Sequence, residues 1–524
     1  MLSKKNVILY LDCLLFALLC VISIWSYSKQ MTDYYILPKW LFTIGSILIF
    51  TLIISVKRLF GKRVYLSIPQ LLSIITILCL LQMCHGMLQW MGIAKTFHAD
   101  FPITGSYDNP AGFSATLCVA FPYLFYFYKK YSNAFVRTGI TLSAILVVLC
   151  LFLSSSRTGL LCCSVITGIY LFKLIPIHLH LKVMTYVLIF TFFIIVIYYW
   201  KQDSANGRLL IWLCSLNMIK DNIWTGFGVG AFRKHYMDYQ ASYFETSPDT
   251  PSFMLADNVI SPFNEYLNIV MNWGIIGFFL VCAFVVFLIK CYNKKPNLEK
   301  RIALFSLLSI ALLSCFSYPL NYPFVWIIIA INSYIIAKGN VNWIIGIFKY
   351  KVFWSVIILL NAVLLIQLHN RISAEYRWHK VAYCASDDNM EEMKNLRPLF
   401  HDNPYFLYNY ACMLNEQGDW DNGLLIAHEC RKYWADYDLE LLLGDIYRNK
   451  KEFDNASNHY LKATSMCPVR FTPLYKLYEL YKENGNLRKQ QSIGKAILEK
   501  PIKINSITIQ NIKRKVKKDI QQKI

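Results

Sequence analysis

ILPKWLFTIGSILIFTLIISVKRLFGKR, residues 36–63, decides the fold. From Ile36 to Ser55 the stretch is predominantly apolar and carries one charge, Lys39; Lys57, Arg58, Lys62 and Arg63 then follow in quick succession. About 20 apolar residues rising 1.5 Å each cross a 30 Å hydrocarbon core, and cations crowded at one end mark the side that stays inside. Working outward, the same pattern predicts eleven spans, at roughly 7–27, 36–55, 66–85, 110–128, 138–155, 158–176, 183–200, 264–289, 302–319, 322–338 and 352–369. Lys4 and Lys5 ahead of the first run also suit a signal peptide, but the run is long and no small-residue cleavage site follows, so a retained span is expected.

Composition agrees. Of 524 residues, 56% are hydrophobic and 16% charged, against about 45–50% and about 25% in soluble domains. The net charge of +21 would raise nucleic-acid binding in a soluble protein. Here the cations sit in short loops and at the extreme C-terminus, so no nucleic-acid partner is expected. Most of the 16 cysteines lie inside apolar runs and none has zinc spacing, which argues against a disulfide framework or a structural metal.

Lys and Arg collect in alternate loops: 56–65, 129–137, 177–182, 290–301 and 339–351. With the N-terminus inside, every alternation fits, and an odd number of spans places everything after residue 370 outside. In a bacterium that is the periplasmic side of the inner membrane. Two outer loops are long, 86–109 and 201–263; loops of that length are functional or disordered. The second is rich in aromatics and contains an amphipathic run, Arg208 to Lys220, expected to lie on the bilayer surface and roof a cavity.

Beyond the last span the chain reads as a soluble helical repeat. Residues 437–470, YDLELLLGDIYRNKKEFDNASNHYLKATSMCPVR, form a 34-residue unit with Leu443, Gly444, Tyr447, Ala456, Tyr460, Ala463 and Pro468 where a tetratricopeptide hairpin needs its small and large contacts. Trp420-Asp421-Asn422 aligns 33 residues before Phe453-Asp454-Asn455, and a third unit, 471–501, keeps Leu477, Tyr478 and Tyr481 before degrading. A partial unit from Arg371 to Asp402 is expected to join span and array. Cys412 and Cys430, on the two helices of one unit, suit either a disulfide or two buried thiols. The expected fold is therefore all-α: a membrane bundle over 1–369 with its outer loop 201–263, then a tetratricopeptide-like α-solenoid over 370–524. Such a solenoid offers a protein partner a surface, but specifies no chemistry.

Charges in or beside a membrane are expensive and mark candidate sites. Arg157 lies in SSSRTG, Arg208 in NGRLLIW and Arg233 with His235 just after GFGVGAF; Asp257, Asn258, Asn264 and Glu265 lead into the eighth span. All fall on the predicted outer side. Guanidinium groups suit a multiply charged oxyanion such as a diphosphate. Each is also a candidate for snorkelling or a structural ion pair. GFGVG lacks a preceding strand and faces outward, so its glycines read as turn residues.

These features, in this order, resemble the O-antigen ligase/polymerase family of bacterial membrane enzymes. The residues that carry the resemblance are TGSYDNPAGFSA (104–115), SSSRTGLL (154–161), GRLLIWLCSLNMIKDNIWTGFGVGAF (207–232) and FNEYLNIVMNWGIIG (263–277). The resemblance implies transfer of a glycan from undecaprenyl diphosphate to an acceptor hydroxyl, on lipid A-core, on a growing polymer or on a protein Ser/Thr, without metal, nucleotide or other cofactor. By position, Arg157 and Arg208 would hold the diphosphate, with Arg233 a third. One departure stands out: the family's usual histidine before the N-x-Y-L segment is Phe263 here. A general base would then come from Asp257, Glu265 or His235, since a base needs reach and a suitable pKa. The alternatives are a repeat-unit polymerase or a noncatalytic glycan-lipid-binding protein presenting its repeats. A flippase is disfavoured because the chain shows no internal duplication and its charges avoid the midplane.

Overall fold

A computed structural model describes residues 4–62, 66–98, 100–172, 202–246, 251–340, 350–383 and 389–521, together with isolated positions between 181 and 199. Among the described residues all regular structure is helical. The chain divides into two compact units that interleave in sequence. The first is Met1–Tyr199, Phe263–Glu265 and Val281–Cys384; the second is Trp200–Pro262, Tyr266–Leu280 and Ala385–Ile524.

In the first unit the helices are α1 (Lys4–Trp25), α2 (Ile36–Leu59), α3 (Ile68–Trp90), α4 (Pro110–Lys130), α5 (Ala134–Leu153) and α6 (Arg157–Phe172). They continue, after the excursion into the second unit, with the far end of α9 (Glu265–Lys294), then α10 (Leu298–Ser314), α11 (Pro323–Ala337) and α12 (Lys351–Tyr383). Among the described residues six helices are long and apolar enough to cross a membrane: α2, α3, α4, α5, α9 and α12. Leu11–Trp25, α6 and α11 are shorter apolar helices. The span expected at 183–200 lies almost wholly outside the described residues.

α4 is the core of this unit, with 89% of its apolar window buried, and it packs on α3, α5, α6, α10 and α11. Asn109 starts it: the side-chain oxygen accepts from the Ala111 and Gly112 amides, and Pro110 supplies a pre-set φ at the first position. A buried polar chain ties three helices together. Tyr123 Oη donates to Asn332 Oδ1 (3.1 Å), Asn332 Nδ2 to Ser306 Oγ (2.8 Å) and Ser306 Oγ to the Val119 carbonyl (2.5 Å). Such bonds align helices where lipid offers no hydrophobic driving force between them. Asp12 within α1 is not left bare, being ion-paired with Lys57 at the end of α2. α12 lies along α2 and runs through Arg371 to Tyr383 without a break, so the junction expected at residue 370 is continuous helix.

The second unit contains α7 (Gln202–Asp221), α8 (Ala231–Thr246) and the first half of α9, followed by α13 (Asn389–Leu396) and three hairpins. These are α14/α15 (Pro404–Glu416, Trp420–Arg431), α16/α17 (Tyr437–Asn449, Phe453–Met466) and α18/α19 (Thr472–Glu483, Leu487–Glu499); α20 (Ile507–Gln521) packs on α19. Each hairpin turns in the same way. Gly418, Lys451 and Gly485 adopt left-handed φ of 80°, 62° and 67°. The next amide reaches back five residues: Asp419 to Leu414, Glu452 to Tyr447 and Asn486 to Tyr481. That is a Schellman helix end, repeated at the period legible in the sequence. Gly444 is required for packing, since a Cβ there would fall 2.4 Å from the Tyr460 ring. Cys412 and Cys430 are free thiols, and the Cys430 Sγ donates to the Pro404 carbonyl.

Candidate functional site

In the first unit three of the motif segments come together. Ser156 begins α6, its Oγ accepting from the Gly159 amide at 3.3 Å. Arg157 is thereby fixed at the first position of the helix. A Cβ on Gly159 would sit 3.1 Å from the Ser114 Cβ on α4, so the SSSRTG turn meets the TGSYDNPAGFSA segment with no room for a side chain. From that segment a file of rings leads onward: Tyr107 to Tyr322 (5.1 Å), Tyr322 to Tyr318 (6.2 Å) and Tyr318 to Phe263 (5.5 Å). Glu265 opens α9, only 4% exposed, with Oε1 accepting the Leu320 amide at 3.1 Å.

Ser155 and Phe263 have φ of 56° and 53°. Among the described residues only Lys451 shares that left-handed conformation without being glycine. Strained non-glycine residues cluster at functional sites because the surroundings must impose them. Two of the three flank the motif residues Arg157 and Glu265.

Sequence reasoning missed two contributors. The Tyr318–Tyr322 connection between α10 and α11 is the hub of the ring file, and its only signal was SYPLNYP, two tyrosines set among prolines. Asp108, inside a quoted motif, keeps one buried carboxylate oxygen without a hydrogen-bond partner. Burial pushes its carboxyl above the usual range, against a hydrogen bond from Asn109. An acid surrounded by the helix that bears Lys39 and by Tyr322 was not distinguishable in sequence from a helix-start residue.

The second unit holds Arg208, Arg233, His235 and Asp257. Arg208 stands one turn before Trp212 on α7, and the Trp212 Nε1 donates to the Pro262 carbonyl at 3.0 Å. The buried face of α7 is Leu210, Ile211, Cys214, Met218 and Ile219, packed on α8 and on the short helix Pro251–Leu255. Its other face leaves Leu209, Leu213 and Leu216 exposed. This is the two-sided pattern of a helix with one face in protein and one suited to lipid.

The link between α7 and α8 crosses the middle of α9. Phe227 N donates to Met271 O (2.8 Å), Gly228 N to Asn272 O (3.0 Å) and Ile275 N to Ile223 O (2.8 Å). Gly274 breaks α9 with φ 63° and ψ −167°. A Cβ on Gly226 would fall 2.6 Å from the Met271 oxygen, and one on Gly274 2.0 Å from the Trp224 oxygen. Gly226 of GFGVG and Gly274 of NWGIIG are therefore there so that two backbones can touch. Asn272 Oδ1 then accepts the Ala231 amide and starts α8.

α8 carries the remaining candidates into the tail. Arg233 is exposed, its guanidinium over the Tyr405 ring at 5.7 Å, and its carbonyl accepts the Ala435 amide. His235 lies against the Phe227 ring, tilted, with centroids 4.9 Å apart; burial holds its pKa below the usual range, partly offset by Asp238. Asp257 Oδ1 pairs with Arg470 at 2.7 Å. Arg431 is the main clasp between α8 and the repeats. It grips both oxygens of Asp238 (2.6 and 2.5 Å) and Glu440 Oε1 (3.2 Å), while His459 and Lys462 also bind Glu440. Bidentate guanidinium–carboxylate geometry fixes orientation as well as charge. Among the described residues no cluster of side chains is arranged to hold a metal ion.

Residues 142–282 match the family model described as O-Antigen ligase. The matched stretch begins in α5, takes in Arg157, Arg208, Arg233, His235, Asp257 and Glu265, and ends past the kink of α9. No curated protein matches the chain. The family match together with the long apolar helices supports a membrane protein with an O-antigen ligase/polymerase type of function.

Proposed function

We propose that this protein is a glycosyltransferase of the bacterial inner membrane, moving a glycan from undecaprenyl diphosphate to an acceptor hydroxyl on the periplasmic face. The carrying observation is that, within one compact unit, the Arg157 turn, the 104–115 segment and the Phe263–Glu265 helix start are packed together, with backbone strain at Ser155 and Phe263. Eleven spans with the N-terminus inside, counting one at 183–200, put the 201–263 loop and the tetratricopeptide-like tail on that face.

In this reading the sugar C1–O bond to the diphosphate breaks as the acceptor oxygen forms its bond to C1. Charge builds on the departing diphosphate. Arg157 and Arg208, with Arg233 third, are assigned to stabilise that charge as cations. The acceptor proton passes to a base. Each of the three candidates already has a contact: Asp257 pairs with Arg470, His235 lies against the tilted Phe227 ring and Glu265 accepts the Leu320 amide. Glu265, two residues beyond the position of the family's histidine and almost fully buried, is assigned first. The acceptor is a lipid A-core sugar or a protein hydroxyl. The tail, which lies against the loop bearing Arg233 and His235, favours a protein at or near the acceptor.

The test is transfer by purified full-length protein from undecaprenyl-diphosphate-linked glycan to lipid A-core and to peptide, offered separately. Arg157→Ala, Arg208→Ala and Glu265→Gln are each expected to lower turnover by roughly 100-fold or more, the size of losing one transition-state donor. Arginine-dependent binding of the glycan lipid with no transfer to either acceptor would refute the ligase. It would favour a polymerase needing its own repeat unit, or a glycan-lipid-binding protein in which Phe263 marks lost catalysis.

A further inference from the structure

Away from the arginines, the first unit has an open cavity of about 380 Å³ lined by Tyr27, Lys29, Tyr34, Tyr35, His379 and Tyr383. It lies between the α1–α2 connection and the end of α12, well past that helix's apolar run. Its rings form two groups. Tyr27, Tyr35 and Phe97 contact one another with centroids 5.0–5.9 Å apart. Tyr34, His379 and Tyr383 form the second, at 6.2 and 4.6 Å, and Tyr34 and Tyr35 meet edge-on at 6.3 Å.

The walls are held in place by polar contacts, and across the cavity the Tyr34 and Tyr383 side chains are hydrogen-bonded to each other. The Ser28 amide donates to the Tyr34 carbonyl, closing the connection into a loop. Thr32 Oγ1 donates to Glu375 Oε2, and Arg371 pairs with Glu375 Oε1 one turn before His379. The Asp33 carboxylate is used up as the start of α2, accepting the Tyr35, Ile36 and Leu37 amides. It is therefore not the partner of Lys29, which is exposed and forms no ion pair among the described residues.

We propose that this cavity binds a pyranose ring of a glycan, Lys29 favouring one with a carboxylate. The axial C–H face of a pyranose carries slight positive charge and meets the negative face of an aromatic ring, while hydroxyls on its rim need donors and acceptors beside those rings. Tyrosine and histidine supply both from one side chain. A cavity in the few-hundred-Å³ range with a small number of converging polar groups is the usual form of a ligand site. The assignment deepens the proposed function, resting on it for the class of ligand, and adds a glycan contact separate from the diphosphate arginines.

The experiment is saturation-transfer NMR on the full-length protein in nanodiscs, with methyl α-glucopyranoside and methyl α-glucopyranosiduronate as probes. Wild type is expected to transfer saturation to the ring C–H protons of both, more strongly to the uronate. Tyr27→Ala and Tyr383→Ala should each weaken binding roughly tenfold, the usual loss for a stacking ring. Tyr383→Phe should keep most of it, and Lys29→Gln should erase the preference for the uronate. Absence of transfer to either probe from wild type, or transfer unchanged in both alanine variants, overturns the assignment. Arginine-dependent glycan transfer measured on the same preparations separates the two readings. If it persists while sugar binding fails, the pocket alone is wrong; if sugar binding persists without it, the pocket stands and the transferase falls.

Discussion

Gly274→Ala tests whether the crossing of the 223–228 link over α9 organises the outer loop. At φ 63° and ψ −167° the residue sits in a region open essentially to glycine alone, and an alanine held there costs about 1–3 kcal/mol. Its Cβ would stand 2.0 Å from the Trp224 oxygen and 2.2 Å from the Trp224 carbonyl carbon. Both are backbone atoms, so no side chain can swing away and the two segments must separate. Separation loses the Phe227, Gly228 and Ile275 hydrogen bonds and the longer one from Ile276 to Trp224 (3.4 Å), at about 1 kcal/mol each. The expected total is about 5–7 kcal/mol of local stability. Limited proteolysis of the full-length protein in nanodiscs should show new cleavage at 222–230, and glycan transfer should fall with it. Phe279→Ala, exposed on the same helix, should change neither. Gly274→Ala with wild-type proteolysis and activity would refute the idea that this contact positions the loop.

Two further outcomes concern the tail. Lys451 holds the left-handed position that its counterparts Gly418 and Gly485 fill with glycine; Lys451→Gly relieves about 1–2 kcal/mol of left-handed strain against about 0.5–1 kcal/mol of added chain entropy and should stabilise the tail by about 0.5–1 kcal/mol, whereas Gly444→Ala, driven into the Tyr460 ring, should destabilise it by about 1–3 kcal/mol. Thermal unfolding of the full chain should move in opposite directions for the pair. The second outcome is a stability optimum in mild acid. Burial raises Asp436 to about 6, against the Asn258 hydrogen bond, so its contribution is full below about pH 4 and is lost as pH rises through 6, a difference of about 3 kcal/mol. Burial would raise Glu440 too, but His459 and Lys462 hold it at about 2, so its contribution is present above about pH 4.5 and is lost as pH falls toward 2. Asp436→Asn, which keeps a helix-capping side chain, should flatten the limb between about pH 4 and 6.

Much of the candidate site was legible because its residues are costly where they stand. Arg157, Arg208 and Arg233 are conspicuous because most other cations beside the apolar runs collect in the predicted inner loops. Tyr318, Tyr322, Asp108 and the Tyr27–Tyr383 cavity were not, because an aromatic or an acid at a helix boundary looks the same in sequence whether it lines a site or faces headgroups. The same ambiguity covered Asp257: its pairing with Arg470 joins residues 213 positions apart, and nothing local announces it.

The sequence by itself determined whatever depends on period and run length. Apolar stretches near twenty residues dictate membrane helices, since no other local structure satisfies the backbone in lipid. The 33–34-residue spacing reappears as three Schellman turns, since each turn is a property of a few consecutive residues. Only the tertiary structure decided what depends on two distant segments meeting: that Gly226 and Gly274 serve one backbone crossing, and that α8 is clasped by Arg431 to the helical hairpins of the tail. Those choices are made by close packing and by the pairing of buried charge, which act between surfaces that exist only once the helices have formed.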